Sequence, residues 1–298
     1  MDFVRDLRIV VSKRLKTLGV VFSDDVSDEV VLRNYLNIQT KLIPRQPREL
    51  HLPTSFPEMI ETLPEKFRRA LDTILREIKS GEDINSHLSR DAFTAGSNDL
   101  LLNAWRLHHL HVSDTKKNFR EFFFDRSDYL AFVWFEKSHA YLAGILPHKA
   151  ENVFARQVLL ATVLDNWPEL LEPQEFKNVR SVEPRFSDDQ VNRLRNAHLN
   201  FVIEVKGRYF LPPGGLITGA GTKGDHVREI DYLYRELRDL QTWIAGHGIG
   251  LLKRAPRKGF RVPTRPTFEL LDIVEDGFLI REKKTRQPFL IPRSVTTQ

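Results

Sequence analysis

Two apolar runs separated by only two residues constrain the fold of this chain more than any other feature. The runs are YLAFVWFE (129–136) and HAYLAGIL (139–146). A two-residue connection cannot cross over between parallel strands, so the runs predict an antiparallel hairpin. The upstream run AWRLHHLHV (104–112) has the pattern of a further strand. We therefore expect residues 104–147 to form one antiparallel three-stranded unit.

Helical patterns lie on both sides of this unit. Apolar residues recur with helical spacing over residues 1–18 and 28–38, and most clearly over 64–80, where Gly81 follows as a C-cap. A further helix is predicted over 151–165. Four prolines interrupt residues 42–57 and predict an extended connection there. The helices at 64–80 and 151–165 are expected to flank the strands.

The second half of the chain has more loops. It predicts a helix over 188–197, a hairpin over 200–212 that turns at Gly207, a long helix over 225–244 and a terminal β-meander. The fold class predicted is α+β, with N-terminal helices, a small antiparallel sheet with flanking helices, a second α+β region and a C-terminal β-meander. The predicted regions are 1–172, 173–250 and 251–298.

Composition narrows the possible functions. The 298 residues include no cysteine, which excludes disulfides, thiolate metal sites and cysteine nucleophiles. The sequence has no apolar run long enough to span a membrane and no signal-peptide pattern, so we expect a cytoplasmic protein without membrane contact. The formal net charge of +5 favours a polyanionic partner, RNA or DNA. No cofactor and no metal site are predicted, because the standard motifs are missing.

The stretch WRLHHLHVS (105–113) is the first candidate site. Side chains of a strand alternate between its faces, so His109 and His111 share one face and their imidazoles can act together as acid, base or ligand. Arg126 precedes the second strand and His148 follows the third, so strands that pair in order gather these residues at one end of the sheet. The alternative is that the histidines are unrelated residues of a half-exposed strand.

The segment from Trp105 to Lys149 resembles the core of RelE/ParE-type bacterial toxins, with Arg126 ahead of the middle strand and His148 after the last. The resemblance implies metal-independent cleavage of RNA. It implies that Arg126 stabilises the phosphate, that His148 or Tyr141 transfers the proton, and that Lys149 binds RNA. It covers about 45 of the 298 residues, and the histidine triplet and the C-terminal half have no counterpart in it.

Two further motifs have a functional and an ordinary interpretation. Glu204-x-Lys206 is similar to the second half of a PD-(D/E)XK nuclease motif, but the nearest upstream acids, Asp188 and Asp189, lie at a helix start. An ordinary hairpin explains the pair equally. The loop 219–224 matches G-x-G-x-x-G and opens a helix, without the preceding strand of a dinucleotide site. A mobile or partner-binding loop is the alternative.

A basic segment follows the long helix. Residues 253–266 contain no acid, and their prolines keep the segment extended. An extended basic arm suits contacts to a nucleic-acid backbone, and a solvated linker is the alternative. The residues predicted to bind nucleic acid here are Lys253, Arg254, Arg257, Lys258 and Arg261.

The leading hypothesis is a protein that acts on nucleic acid as a metal-independent ribonuclease of toxin or defence type. Two alternatives stay open: a non-catalytic module that binds nucleic acid or protein, and a metal-dependent nuclease that uses Glu204 and Lys206. RNA cleavage with and without EDTA separates the three. The residues predicted to have catalytic roles are His109, His111, Arg126, Tyr141 and His148.

Overall fold

The computed structural model describes residues 1–20, 22–23, 25–179, 181–254 and 261–295. These residues form eight α-helices and three small sheets, which confirms the α+β class. The helices are α1 (Phe3–Thr17), α2 (Asp28–Lys41), α3 (Phe56–Glu61), α4 (Glu65–Ser80), α5 (Leu100–Trp105), α6 (Val158–Asn166), α7 (Asp188–Asn196) and α8 (Gly224–Lys253). The strands are β1 (Glu49–His51), β2 (Leu107–His111), β3 (Tyr129–Phe135), β4 (His139–Pro147), β5 (Ile203–Val205), β6 (Arg208–Phe210), β7 (Phe268–Val274), β8 (Gly277–Glu282) and β9 (Pro288–Pro292).

The chain divides into two compact units. One is Asn37–Asp225, and the other combines Met1–Leu36 with His226–Gln298. The three regions predicted from composition, with boundaries near 173 and 251, stay a prediction. No helix among the described residues is both long enough and apolar enough to cross a membrane.

The central sheet of the unit Asn37–Asp225 has the strand order β1-β4-β3-β2. Strands β2, β3 and β4 pair antiparallel in sequence order, as the spacing of their apolar runs predicts. Strand β1 adds a parallel edge to β4. The register places His111 opposite Leu130 and Tyr129 opposite Pro147, so the end of β2, the start of β3 and the end of β4 share one end of the sheet.

Strand β1 lies within residues 42–57, which were predicted to be an extended connection, and helix α3 begins at the end of this segment. Strand β1 has only three residues between two prolines, Pro47 and Pro53. Proline restricts such a strand to a sheet edge, and only pairing with the distant β4 makes it a strand. Trp105 was also predicted to lie in a strand. It ends helix α5 instead, and Arg106 adopts a left-handed conformation before β2 begins.

Both faces of the central sheet are covered, and the nearly continuous apolar runs of β3 and β4 are typical of strands buried on both sides. Leu107, Phe132 and Trp134 lie in the core on the side of α6. Leu110 and Val133 lie in the core on the side of α4. The flanking helices are therefore those expected, although α6 begins at Val158. A 3₁₀ turn occupies the start of the predicted 151–165 helix, since Asn152 has a left-handed φ of 51°.

Local signals explain the elements that follow. Ser187 forms a capping box with Gln190 at the start of α7. Strands β5 and β6 form the predicted hairpin, and Lys206 and Gly207 make its two-residue turn with φ of 51° and 77°. In the other unit, β7, β8 and β9 form the predicted antiparallel meander. The carboxylate of Asp6 on α1 accepts the backbone N–H of Leu270 on β7.

Candidate active site

A cavity of about 380 Å³ lies beside the edge strand β2, and we call it the histidine cavity. Four of the five residues predicted to have catalytic roles line it: His109, His111, Arg126 and His148. The rest of its wall comes from the segment 88–102, from α7 and from Lys41. The antiparallel order explains the convergence, because Arg126 precedes β3 and His148 follows β4 at the end of the sheet where β2 finishes.

A carboxylate faces one of the histidines. Asp99 Oδ2 lies 3.4 Å from His109 Nδ1, and both side chains are largely buried. The other carboxylate oxygen, Oδ1, accepts the N–H of Leu102 at 2.9 Å and caps α5. His109 Nδ1 has no hydrogen-bond partner among the described residues, so its contact with Asp99 is one of charge. A carboxylate charge at this distance stabilises an imidazolium and leaves Nε2 to act on a substrate. Asp99 was absent from the sequence prediction, although its position before an apolar run is typical of an N-cap.

His111 differs in its protonation. Its Nδ1 accepts the backbone N–H of Ser127 at 3.3 Å, so the proton of the neutral ring lies on Nε2. Burial lowers the pKa of His111 to about 4, and the positive potential of His109, His148 and Arg126 adds to the effect. At neutral pH His111 is therefore a neutral hydrogen-bond donor. Its ring meets that of His148 edge to face, with 5.3 Å between the centroids.

Buried cations charge the wall of the histidine cavity. Arg195 on α7 is 3% exposed, places its guanidinium 4.1 Å from the centre of the Trp105 ring and donates to the carbonyl oxygen of Phe154. Burial lowers the pKa of Arg195 to about 10, so it stays charged at neutral pH. Lys41 is also buried, and burial lowers its pKa to about 8. Its ammonium donates to three backbone carbonyl oxygens of the segment 91–97.

Neither these two buried cations nor Arg126, which is exposed, has a carboxylate in direct contact among the described residues, although the charge of Asp99 acts on Lys41 and Arg195 from a distance. Among the described residues, Lys41, Arg195 and Arg126 form no salt bridge, and the carboxylates in the lining are Asp91 and Asp99. Positive charge held in a partly enclosed cavity favours an anion. The histidine cavity thus combines an imidazole beside a carboxylate, a neutral donor and cations that have no salt-bridge partner among the described residues.

A second cavity, of about 270 Å³, adjoins the first and shares His111 and Arg126 with it. Part of its wall is the segment DTKKNFREFFFDR (114–126), which we call the basic aromatic loop. Phe119 is 88% exposed in this loop, and the Lys116 ammonium lies 4.4 Å from the centre of the Phe124 ring. Exposed aromatic rings beside cations are the usual means of holding unpaired nucleotides. Of this segment, only Arg126 was singled out from the sequence. The phenylalanines and basic residues of the segment are the sequence signal that indicates a nucleotide-binding loop.

Tyr141 is separate from the other predicted site residues. It lies near the start of β4, six residues before Pro147, or roughly 20 Å along the strand. Its ring stacks on that of His51, with 4.5 Å between centroids, and contacts Trp167 edge to face. The proton-transfer role that the toxin resemblance implies for Tyr141 would therefore need a different cavity. Lys149 is exposed directly after His148.

The predicted nucleic-acid contacts of the basic segment belong to the other unit. Lys253 ends α8, and both it and Arg254 are exposed, as is Arg261. Arg257 and Lys258 lie outside the described residues.

The remaining motifs have local partners. Glu204 pairs with Arg185 at 2.7 Å, and Lys206 donates to Asp165 at 2.6 Å. In the glycine-rich loop, the N–H of Gly221 donates to Thr218 within the loop itself. A Cβ at Gly221 would lie 2.5 Å from His198 Nε2, so close packing explains a glycine there.

Comparison with protein-family models, curated proteins and solved structures finds no significant match to this chain. The relationship to RelE/ParE-type toxins therefore stays a prediction. The functional argument depends on the geometry of the histidine cavity.

Proposed function

We propose that this protein is a metal-independent endoribonuclease of toxin or defence type that cleaves single-stranded RNA in the histidine cavity. The observation that carries the proposal is the Asp99–His109 pair in a cavity that also holds His148 and Arg126. Cleavage of RNA without a metal needs a base, an acid and positive charge near the phosphate. These four side chains are of the types that supply those functions.

The chemistry would be a transesterification. His109 Nε2 takes the proton of the ribose 2′-hydroxyl, and Asp99 stabilises the imidazolium that forms. The 2′-oxygen bonds to phosphorus as the bond from phosphorus to the 5′-oxygen breaks. His148, protonated at the start, donates its proton to the departing 5′-oxygen. The products are a 2′,3′-cyclic phosphate and a 5′-hydroxyl, and water restores the two histidines to their starting protonation.

Arg126 and His111 would stabilise the charge that develops on the non-bridging phosphate oxygens. Arg126 supplies a guanidinium without a salt-bridge partner among the described residues. His111 supplies the Nε2–H of a ring that is neutral at pH 7, because its pKa is lowered to about 4. Preorganised donors of this kind stabilise a transition state without reorganisation.

The choice of single-stranded RNA as substrate depends on the basic aromatic loop. Phe119 and Phe122 expose their rings, and unpaired bases stack on such rings in a sequence-tolerant way. A duplex keeps its bases stacked on one another and cannot use them. The histidine cavity has the volume of a small-molecule pocket, which fits a single extruded nucleotide.

We also propose that the basic segment at 253–266 contributes to RNA binding by charge. Lys253, Arg254 and Arg261 are exposed, as such contacts require. Replacing Arg257, Lys258 and Arg261 with alanine should weaken binding and reduce its salt dependence by about one unit of slope per lost phosphate contact. An unchanged slope would mean that the segment is a linker.

The proposal is tested by incubating end-labelled single-stranded RNA with the full-length protein, with and without EDTA. We expect cleavage that EDTA does not inhibit and products with cyclic phosphate ends. His109→Gln should lower the rate by about 10²–10⁴-fold and Arg126→Ala by about 10²–10³-fold, because they remove proton transfer and charge stabilisation respectively. Both variants should melt within a few degrees of the parent protein.

The matched controls are His247→Gln and Arg76→Ala, which change exposed residues on α8 and α4. They should leave the rate unchanged. Cleavage that EDTA abolishes would favour the alternative with Glu204 and Lys206. RNA binding without cleavage would favour a non-catalytic module. The absence of both RNA binding and RNA cleavage would overturn the proposal.

A further inference from the structure

A second group of histidines lies at the opposite end of the central sheet, where β4 begins. Glu49 and His51 on β1 and His139 on β4 bring one ligand atom each to within 4.8 Å of one another. The parallel register sets Glu49 directly opposite His139. His51 follows two residues after Glu49 and therefore shares its face of the strand.

The distances fit a metal ion bound by three protein ligands. His51 Nε2 and His139 Nδ1 are 3.0 Å apart. Carboxylate oxygens of Glu49 lie 3.7 Å from His139 Nδ1 and 4.0 Å from His51 Nε2. Metal–ligand bonds of about 2.0–2.1 Å in a tetrahedron put neighbouring ligand atoms roughly 3.3 Å apart. Small side-chain rotations therefore bring all three ligands into bonding distance.

The surroundings restrict the orientation of His51 and leave the three ligands accessible to solvent. The ring of Tyr141 stacks on His51 with an interplanar angle of 15° and restricts its orientation. The side chains of His51, His139 and Glu49 are 27%, 37% and 69% exposed. An ion can enter from solvent, and a water molecule can complete its coordination.

We infer that Glu49, His51 and His139 form a binding site for a divalent transition metal of the zinc class. Two imidazoles and one carboxylate are ligands that zinc, cobalt and nickel accept, whereas calcium and magnesium prefer oxygen ligands throughout. Three protein ligands and an open position resemble reactive rather than purely structural zinc sites. A bound ion would also tie the edge strand β1 to β4. The inference does not depend on the proposed ribonuclease activity.

A hydrogen bond between the two imidazoles is the competing explanation for their 3.0 Å contact. It requires one ring to donate and the other to accept, and Glu49 then adds only a charge contact at 3.7–4.0 Å. Metal binding uses the lone pairs of both nitrogens and the charge of the carboxylate together. The two explanations predict different responses to added metal.

The test is titration of the EDTA-treated and dialysed full-length protein with Zn²⁺ by calorimetry and with Co²⁺ by visible absorption. We expect one ion per chain, a four-coordinate Co²⁺ spectrum and a melting temperature raised by several degrees. His51→Gln and His139→Gln should each weaken binding by about 100-fold or more, since each removes one of three protein ligands. Mg²⁺ should not compete at equal concentration.

The control His247→Gln should bind as the parent does, because His247 is an exposed histidine outside this set. Should His139→Gln fail to fold, Glu49→Gln gives the same information from a mostly exposed side chain. Absence of Zn²⁺ binding, or binding that none of the three variants weakens, would overturn the inference. RNA cleavage is not a readout here, so failure of the metal site and failure of the ribonuclease proposal are distinguishable.

Discussion

The two ends of the central sheet each carry histidines, but the neighbours of those histidines differ. At the end where β2 finishes, His111 is buried beside Arg126, and other cations line the same cavity. At the end where β4 begins, His51 and His139 face each other with the carboxylate of Glu49 within 4.0 Å of a nitrogen of each ring. The first arrangement favours an anion and the second favours a cation.

The comparison shows that residue type alone does not set the chemistry of a histidine. The imidazole ring is the same at both ends, but its charge and the lone pair that it offers depend on the groups packed against it. Ser127 fixes the tautomer of His111 through its backbone N–H. Changes at one end should therefore leave the other end unaffected, and the following predictions test this separation.

The largest expected effect is a loss of stability in acid that originates at the buried end. Burial lowers the pKa of His108 and His111 to about 4 from 6.5. Between these values the unfolded chain binds protons that the folded chain does not, so the free energy of unfolding falls as pH falls. Each imidazole accounts for about 3 kcal/mol of this loss in the free energy of unfolding. The loss begins as pH falls through 6.5 and is complete near pH 4. Denaturant unfolding at pH 7, 5.5 and 4 measures the loss.

The variant His111→Gln is the control for this pH dependence, because glutamine does not titrate. Its free energy of unfolding should fall by about 3 kcal/mol less than that of the parent between pH 7 and 4. Equal pH dependence in the two proteins would mean that His111 is not held neutral by its surroundings.

The next effect concerns the charge of Asp99 beside His109. Asp99→Asn keeps an oxygen that caps α5 but removes the charge beside His109 Nδ1, so RNA cleavage should slow by about 10- to 100-fold. The melting temperature should stay within a few degrees of the parent's, because the oxygen that caps α5 is kept. Zn²⁺ affinity at the far end should not change. A fall in rate that comes with a large fall in melting temperature would assign Asp99 a structural role only.

A smaller effect is expected from the basic aromatic loop. Phe119→Ala removes an exposed stacking surface and should weaken binding of single-stranded RNA by about 1–3 kcal/mol, measured by fluorescence anisotropy at fixed salt. Phe176→Ala, which changes an exposed phenylalanine outside the loop, is the control. Equal RNA affinities of the parent protein and both variants would mean that the loop does not contact the RNA.

The smallest effect is expected at Tyr141. Tyr141→Phe removes the hydroxyl but keeps the ring that stacks on His51, so the rate of RNA cleavage should stay within about twofold. The toxin resemblance implies the opposite, because it gives Tyr141 or His148 the proton transfer. A loss of more than about tenfold would place the cleavage chemistry at the other end of the sheet and contradict the histidine cavity as its site.

The sequence alone determined those elements whose signals are local. The helical stripe that ends at Gly81, the close spacing of β3 and β4 and the turn at Gly207 each depend on residues within one element or one turn. Strand periodicity also placed His109 and His111 on one face. Such features follow from backbone geometry and do not need a distant partner.

Tertiary structure decided the rest. Residues 49–51 form a strand only because they pair with the edge of β4. The same pairing brings His51 to His139, which lies 88 positions later in the sequence. Asp99 has the sequence signal of a helix cap, but its second oxygen reaches His109 only because α5 turns directly into β2. Packing, which no local pattern encodes, sets the burial that keeps His111 neutral and the cations that surround it. The sequence therefore predicted that His109, His111 and His148 would gather, and the fold determined their charge and their partners and brought His51 to His139.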